Sequence, residues 1–170
     1  MAQVKNGINI ATNGGALLPM GIPGAGYDFN PRDVISKRNN TTGTGSAARI
    51  VFGTFVAREG AKTVKKIAAD ADVAIGFAMY SAEKLFNADG TETGWDKDDT
   101  VPVAKRGFYY AKAAEAVNEN DDVISITASN GIGSVQTGAA AAGRVAIANA
   151  KWRTTTASGE VGVISIDFQI

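Results

Sequence analysis

The 170-residue chain contains no cysteine and no histidine. Without cysteine there is no disulfide framework and no thiolate metal site, and without histidine the side chain that titrates nearest neutrality is missing. Zinc enzymes and Ser-His-Asp hydrolases are thereby excluded. An excess of charge of one sign is absent too: 17 basic residues face 17 acidic ones, with a pI near 6.3. Such a balance supplies no surplus cations to neutralise phosphates, which disfavours a nucleic-acid partner. No long apolar run occurs either. The longest, Val73 to Tyr80, falls far short of the roughly 18 to 20 residues of a membrane span. The polar start Met1-Ala2-Gln3-Val4-Lys5-Asn6-Gly7 lacks the apolar core, roughly 7 to 15 residues, of a secretory signal. The expectation is a protein made and assembled in a cytoplasm, with no membrane partner.

What is present is ordinary globular material: 45% apolar and 20% charged residues, enough for one domain with a real core. Its texture is uneven. Residues 1–46 carry Gly14-Gly15, Gly21, Gly24, Gly26, three of the four prolines (Pro19, Pro23, Pro31) and the run Asn39 to Ser46, with no steady helical or strand period. Apolar residues nevertheless recur there: Ile8, Ile10, Leu17, Leu18, Met20, Ile22, Tyr27 and Phe29. A disordered tail is normally poorer in such groups. The pattern predicts an extended N-terminal arm over 1–46 that needs another surface to bury these side chains, whether a partner or its own domain.

A domain over 47–170 follows. Arg49 to Glu59 is apolar on both alternate faces and predicts a central, doubly covered strand. Thr63 to Ala69 reads as a strand, although Val64, Ile67, Ala68 and Ala71 also fit a helical face; Val73 to Ser81 reads as a further strand, and Ser81 to Phe86 as one helical turn before a polar loop around Asp89-Gly90. Val101 to Lys105 and Gly107 to Ala113 read as two strands or one bent strand. Asp122 to Ala128 and Ile132 to Gln136 flank Asn130-Gly131, a strong hairpin signal. Arg144 to Ala148 and Lys151 to Thr155 follow the Ala-rich link Ala139 to Ala142. The last strand puts Gly162, Ile164, Ile166, Phe168 and Ile170 on one face. The fold class is all-β: an antiparallel β-barrel or jelly-roll-like sandwich with at most one or two short helices.

Carboxylates are the remaining candidates for chemistry: Asp70 with Asp72, Asp96 with Asp98 and Asp99, and Glu119 with Asp121 and Asp122. None has EF-hand spacing, and all sit where turns are expected, so they read as solvated loop charge with no metal, cofactor or catalytic role. Gly24-Ala25-Gly26 and Gly131-Ile132-Gly133 read as turn glycines, since neither completes a phosphate-binding fingerprint. Trp95, Tyr109, Tyr110 and Trp152 are candidate interface anchors or sugar-stacking platforms as well as core residues.

The order of elements resembles the small head decoration, or cement, proteins of tailed bacteriophages. The matching stretches are Asp33-Val34-Ile35-Ser36, Ile50 to Val56, Thr100 to Lys112, Ala116-Val117 with Asp121-Asp122-Val123, Ala150 to Thr155, and Gly159 to Ile164. The chain departs from the family pattern in having Asn120-Asp121-Asp122 where a Gly-Asp turn is typical, and in its long Gly/Pro-rich leader. The resemblance implies a non-enzymatic virion protein, bound outside an assembled head where it bridges neighbouring major capsid subunits, and itself a homo-oligomer, dimer or trimer. Capsid or protomer contacts are then expected at Ile8, Ile10, Leu17, Leu18, Met20, Ile22, Tyr27, Phe29, Tyr109 and Trp152. The alternatives are a glycan-binding or adhesive β module using Trp95, and a carboxylate glycosidase using Asp96, Asp98 and Asp99.

Overall fold

The architecture is that of a computed structural model describing residues 4–5, 8–9, 12–13, 16–17, 21–27, 33–84, 94–127, 131–135 and 142–168. The strands in chain order are β1 (Val4–Lys5), β2 (Ile8–Asn9), β3 (Thr12–Asn13), β4 (Ala16–Leu17), β5 (Asp33–Asn39), β6 (Ile50–Val51), β7 (Phe55–Arg58) and β8 (Thr63–Lys66). They continue with β9 (Ala74–Ala78), β10 (Gly94–Trp95), β11 (Thr100–Lys112), β12 (Asp122–Ile126), β13 (Gly131–Val135), β14 (Arg144–Trp152) and β15 (Val161–Asp167). Two short 3₁₀ turns, Gly45–Ala48 and Ala82–Lys84, are the helical elements among the described residues.

Nine strands form one sheet in the order β13-β12-β14-β15-β11-β5-β8-β7-β9, and β9 also pairs with β11. The pairings β11 to β5 to β8 to β7 to β9 therefore return to β11 and make a ring. Every pair in it is antiparallel except β5 with β8, where Arg38 meets Thr63 and Asn39 meets Val64 in parallel. The remaining strands, β15, β14, β12 and β13, extend from the C-terminal half of β11.

Two clusters of buried side chains hold these parts together. Phe55, Phe77, Tyr109, Trp152, Ile164, Ile166 and Val123 join the inward face of the extension to one face of the ring strands. Ile50, Phe52, Val56, Val64, Trp95, Val101 and Val103 fill the other, under the two-stranded ribbon of β6 and β10. Phe52 sits edge-on to both Trp95 and Tyr80, a favoured aromatic geometry.

Most expected strands are present, with informative differences. The predicted single strand from Arg49 to Glu59 is two, because Gly53 takes φ +74 and turns the chain between β6 and β7. A Cβ there would lie 2.7 Å from Pro23 Cβ, so only glycine fits the turn. The two strands read on either side of Arg106 are one bent strand, β11, whose register against β5 shifts between Ala104 and Arg106. Those read at 144–148 and 151–155 are likewise one strand, β14, with Asn149 at φ +61. The hairpin expected around Asn130-Gly131 is present as the antiparallel pair β12 and β13, with Ile126 opposite Gly131. The loop at Asp89-Gly90 and most of the link 139–142 lie outside the described residues.

The segment expected to be an arm over 1–46 contains one element that belongs to the large sheet: β5, inserted between β11 and β8. Its end is fixed by Asn39, fully buried, whose amide donates to the carbonyls of Ala48 (2.8 Å), Trp95 (3.0 Å) and Asp96 (3.0 Å). Its Oδ1 accepts from Thr41 N–H at 2.9 Å. One side chain thus satisfies polar backbone from three separate loops.

A buried polar group left without a partner costs about 1–3 kcal/mol. Asn39→Ala is therefore expected to destabilise the protein by about 3 kcal/mol or more, seen as a fall in Tm of about 6–12 °C by thermal unfolding. Asn39→Asp is expected to be at least as damaging at neutral pH, since a carboxylate would face the same carbonyl oxygens.

Candidate binding surface

β5 begins opposite Arg106 at Asp33, which leaves that edge of β11 open further on, while β15 occupies the other. Residues 21–27 fill it. Gly24 N–H donates to Tyr110 O (2.8 Å), Tyr110 N–H to Ala25 O (2.9 Å) and Tyr27 N–H to Phe108 O (2.9 Å). On its other side Gly24 O accepts from Tyr80 N–H at 3.1 Å. The fit needs glycine twice. Gly24 has φ +85 with a virtual Cβ 2.7 Å from Tyr80 N, and a Cβ on Gly21 would overlap the Tyr110 ring.

Pinned in this way, the segment presents Ile22 and Tyr27, 50% and 48% exposed. Tyr27 meets Tyr110 edge-on at 5.5 Å. Burial, and then the neighbouring Tyr27 phenol, push the Tyr110 phenol above its usual range, so it stays neutral at working pH. The result is a small apolar and aromatic patch on rigid backbone at the root of the N-terminal segment.

The other expected contact residues distribute differently. Tyr109 and Trp152 are fully buried, which corrects the expectation that they form contact surface. Tyr109 packs against Phe77 and donates from its hydroxyl to Arg106 O at 3.1 Å. Ile8 and Leu17 lie in short strands whose side chains are not described, and Ile10, Leu18, Met20 and Phe29 lie outside the described residues. Trp95 is buried as well, its Nε1–H donating to Met79 O at 2.9 Å, so it offers no stacking platform for a sugar. Tyr110, a candidate interface anchor in the sequence, is the aromatic partner of Tyr27 within the patch. Consecutive tyrosines on a strand point to opposite faces, and the alternation of Ala111 and Ala113 with Lys112 was the signal that Tyr109 goes inward and Tyr110 outward.

The acidic turns hold backbone. Asp99 accepts from Asp96 N–H and pairs with Lys84 at 2.8 Å; Asp121 accepts from Asn118 N–H. Asp70 accepts from Gly143 N–H at 3.0 Å. Among the described residues no three carboxylates come together as a cation-binding set. At Asp72 burial works to raise the carboxyl. The Lys65 ammonium at 2.7 Å and the N–H groups of Ala68 and Ala69, each at 2.9 Å, outweigh it and hold the group below the usual carboxylate range.

A family model described as structural cement protein (E217 gp24/Pam3 gp6) matches residues 10–167. The chain belongs to this cement-protein family. A solved chain from the structure titled "The capsid of Myoviridae Phage XM1" shares the fold, with a TM-score of 0.65 at 17% identity, over 94% of this chain and 99% of that one. No curated protein matches the sequence. Membership makes the protein a structural component associated with a phage capsid.

A carboxyl depressed in the folded state stabilises above its unfolded pKa, and that contribution is lost as pH falls through the folded value. Asp72→Asn is thus expected to lower stability at pH 7 by about 1–2 kcal/mol. The gap to the unsubstituted protein should close progressively below the ordinary carboxylate pKa of 3.8, as measured by urea unfolding across pH.

Proposed function

We propose that the protein is a non-enzymatic cement component that binds the outer face of an assembled phage head and bridges neighbouring major capsid subunits. Family membership supports a structural role at the capsid. The observation that carries the reading further is the exposure of Ile22 and Tyr27 on a segment hydrogen-bonded into β11. Contacts made by the chain before Gly21 would be tied through this segment to a rigid body, so tension or docking on one reaches the other.

On this reading the residues ahead of Asp33 act as the extended connector, with Ile8, Ile10, Leu17, Leu18 and Met20 among its anchors, and the sheet from β5 onward is the platform. A ligand that binds only the assembled shell stabilises it by mass action. Self-association into a dimer or trimer makes successive contacts intramolecular, so individually weak interfaces suffice. The shell subunit is the partner, reached after synthesis in the bacterial host cytoplasm, with no part played by nucleic acid or membrane.

The test uses heads purified without the protein. Full-length protein is expected to co-sediment with them saturably and to raise the temperature at which they release DNA, read with an intercalating dye. Deleting residues 2–20 should leave Tm within about 2 °C, because residues 21–27 keep their pairing, while weakening head binding by about tenfold or more. Failure of the full-length protein to bind heads would overturn the reading, and undiminished binding by the truncated form would remove the connector from it.

A further inference from the structure

Beside the Ile22–Tyr27 patch, the outward face of β11, β15 and β14 carries a groove of about 560 Å³ that includes Arg106, Phe108, Lys151, Arg153 and Asp167. Sheet register explains how residues so far apart in sequence converge. Phe108 lies opposite Ser165, Ser165 opposite Lys151, and Arg106 opposite Asp167. Directly paired residues share a face, as do residues two apart along a strand, so Arg153 joins Lys151. The three cations face a single carboxylate within the groove.

Their charges are only loosely held. Arg106 Nε is 4.0 Å from Asp167 Oδ1, and Lys151 Nζ is 2.6 Å from Asp122 Oδ1, in pairs that are largely exposed. Exposed pairs of this kind contribute little. Arg153 has no carboxylate among the described residues. Its Nε donates to Ser165 Oγ at 2.8 Å and one Nη to Asn120 Oδ1 at 3.4 Å, both neutral acceptors. In a chain of zero net charge, this groove keeps one cation, Arg153, in excess after both pairs are counted.

We infer that the groove docks an extended acidic segment of the shell subunit, a deepening that rests on the proposed cement function. β11 and β14 flank β15, and Phe108, not Arg106, stands level with Lys151, so backbone spacing puts Arg106 about 12 Å from Lys151 and about 17 Å from Arg153. Lys151 and Arg153 are about 6.8 Å apart along β14, the spacing of alternate side chains on an extended strand. An occupant with carboxylates at alternate positions matches the spacing of Lys151 and Arg153. Two lysine- or arginine-borne charges on the same side, with Phe108 beneath, favour such a peptide over nucleic acid. Sustained phosphate binding needs more cations and no carboxylate in their midst.

The test measures binding of the full-length protein to undecorated heads across a series of NaCl concentrations. The variants are Arg106→Glu/Arg153→Glu, the milder Lys151→Gln/Arg153→Gln, and the control Lys62→Glu, at an exposed lysine on the ring side. The double reversal is expected to weaken binding about tenfold or more and to flatten its salt dependence. The neutral pair should weaken it about threefold, and Lys62→Glu should behave as the unsubstituted protein. All variants should retain their Tm, and should the double reversal unfold, the neutral pair alone decides. Unsubstituted protein binding heads while both groove variants match the control would overturn the groove and leave the cement function standing. Failure of the unsubstituted protein to bind would sink both. Binding of a fluorescent single-stranded oligonucleotide that is lost in the double reversal, with head binding intact, would reassign the groove to nucleic acid.

Discussion

The structure depends on the way β11 divides its backbone hydrogen bonds. Over its first half it is paired on one side with β5 and, at Val103 and Ala104, on the other with β9, which closes the ring. Over its second half it pairs with β15 and with residues 21–27. The register shift between Ala104 and Arg106 and the φ of +130 at Gly107 lie at the changeover, where the 13-residue strand bends from one set of partners to the other. Where β9 stops, β15 takes over its edge, and because β5 begins only at Asp33 the opposite edge beyond Arg106 is left for the segment at 21–27. The patch at the arm root and the cationic groove are both consequences of this one bend.

Those two surfaces differ in physical character in a way that suits division of labour. The Ile22, Tyr27 and Tyr110 patch is apolar and neutral, so its contacts weaken little with salt. The Arg106, Lys151 and Arg153 groove is charged and exposed, and acts over about a Debye length, roughly 8 Å at physiological ionic strength. The charged surface would orient an approaching partner, and the apolar one would hold it. Both are carried by strands whose inner faces pack into the main core, so neither can shift without the other.

Period-two alternation made β12 and β15 readable from sequence, because one face of each is buried and the other is not. β5 was unreadable by the same criterion. Val34 and Ile35 are its only apolar residues, Val34 is exposed, and the strand is placed by backbone pairing and by the buried amide of Asn39. The break at Gly53 was hidden because the flanking residues alternate correctly through it. Trp95 looked like a surface aromatic since it follows a polar loop, yet its indole N–H is satisfied inside. The acidic clusters lie in turns as expected, save Asp122 at the start of β12, but Asp72, Asp99 and Asp121 hold backbone N–H groups instead of standing as solvated charge. The groove was invisible for a different reason: its cations come from positions 106, 151 and 153 and meet only through the β11, β15 and β14 register.

The pairing of β5 with β11 also sets a timetable. Asp33 must find Arg106 and Arg38 must find Thr100 before the ring can close, and the parallel contact with β8 adds another non-local step. Folds dominated by such distant pairings reach the native state in milliseconds to seconds, not microseconds. Until β5 is seated, the flanks of β8 and β11 stay unpaired and available to neighbouring chains. The chain therefore meets its greatest aggregation hazard early, in the interval when Asp33 to Arg38 are still waiting for partners between Thr100 and Arg106.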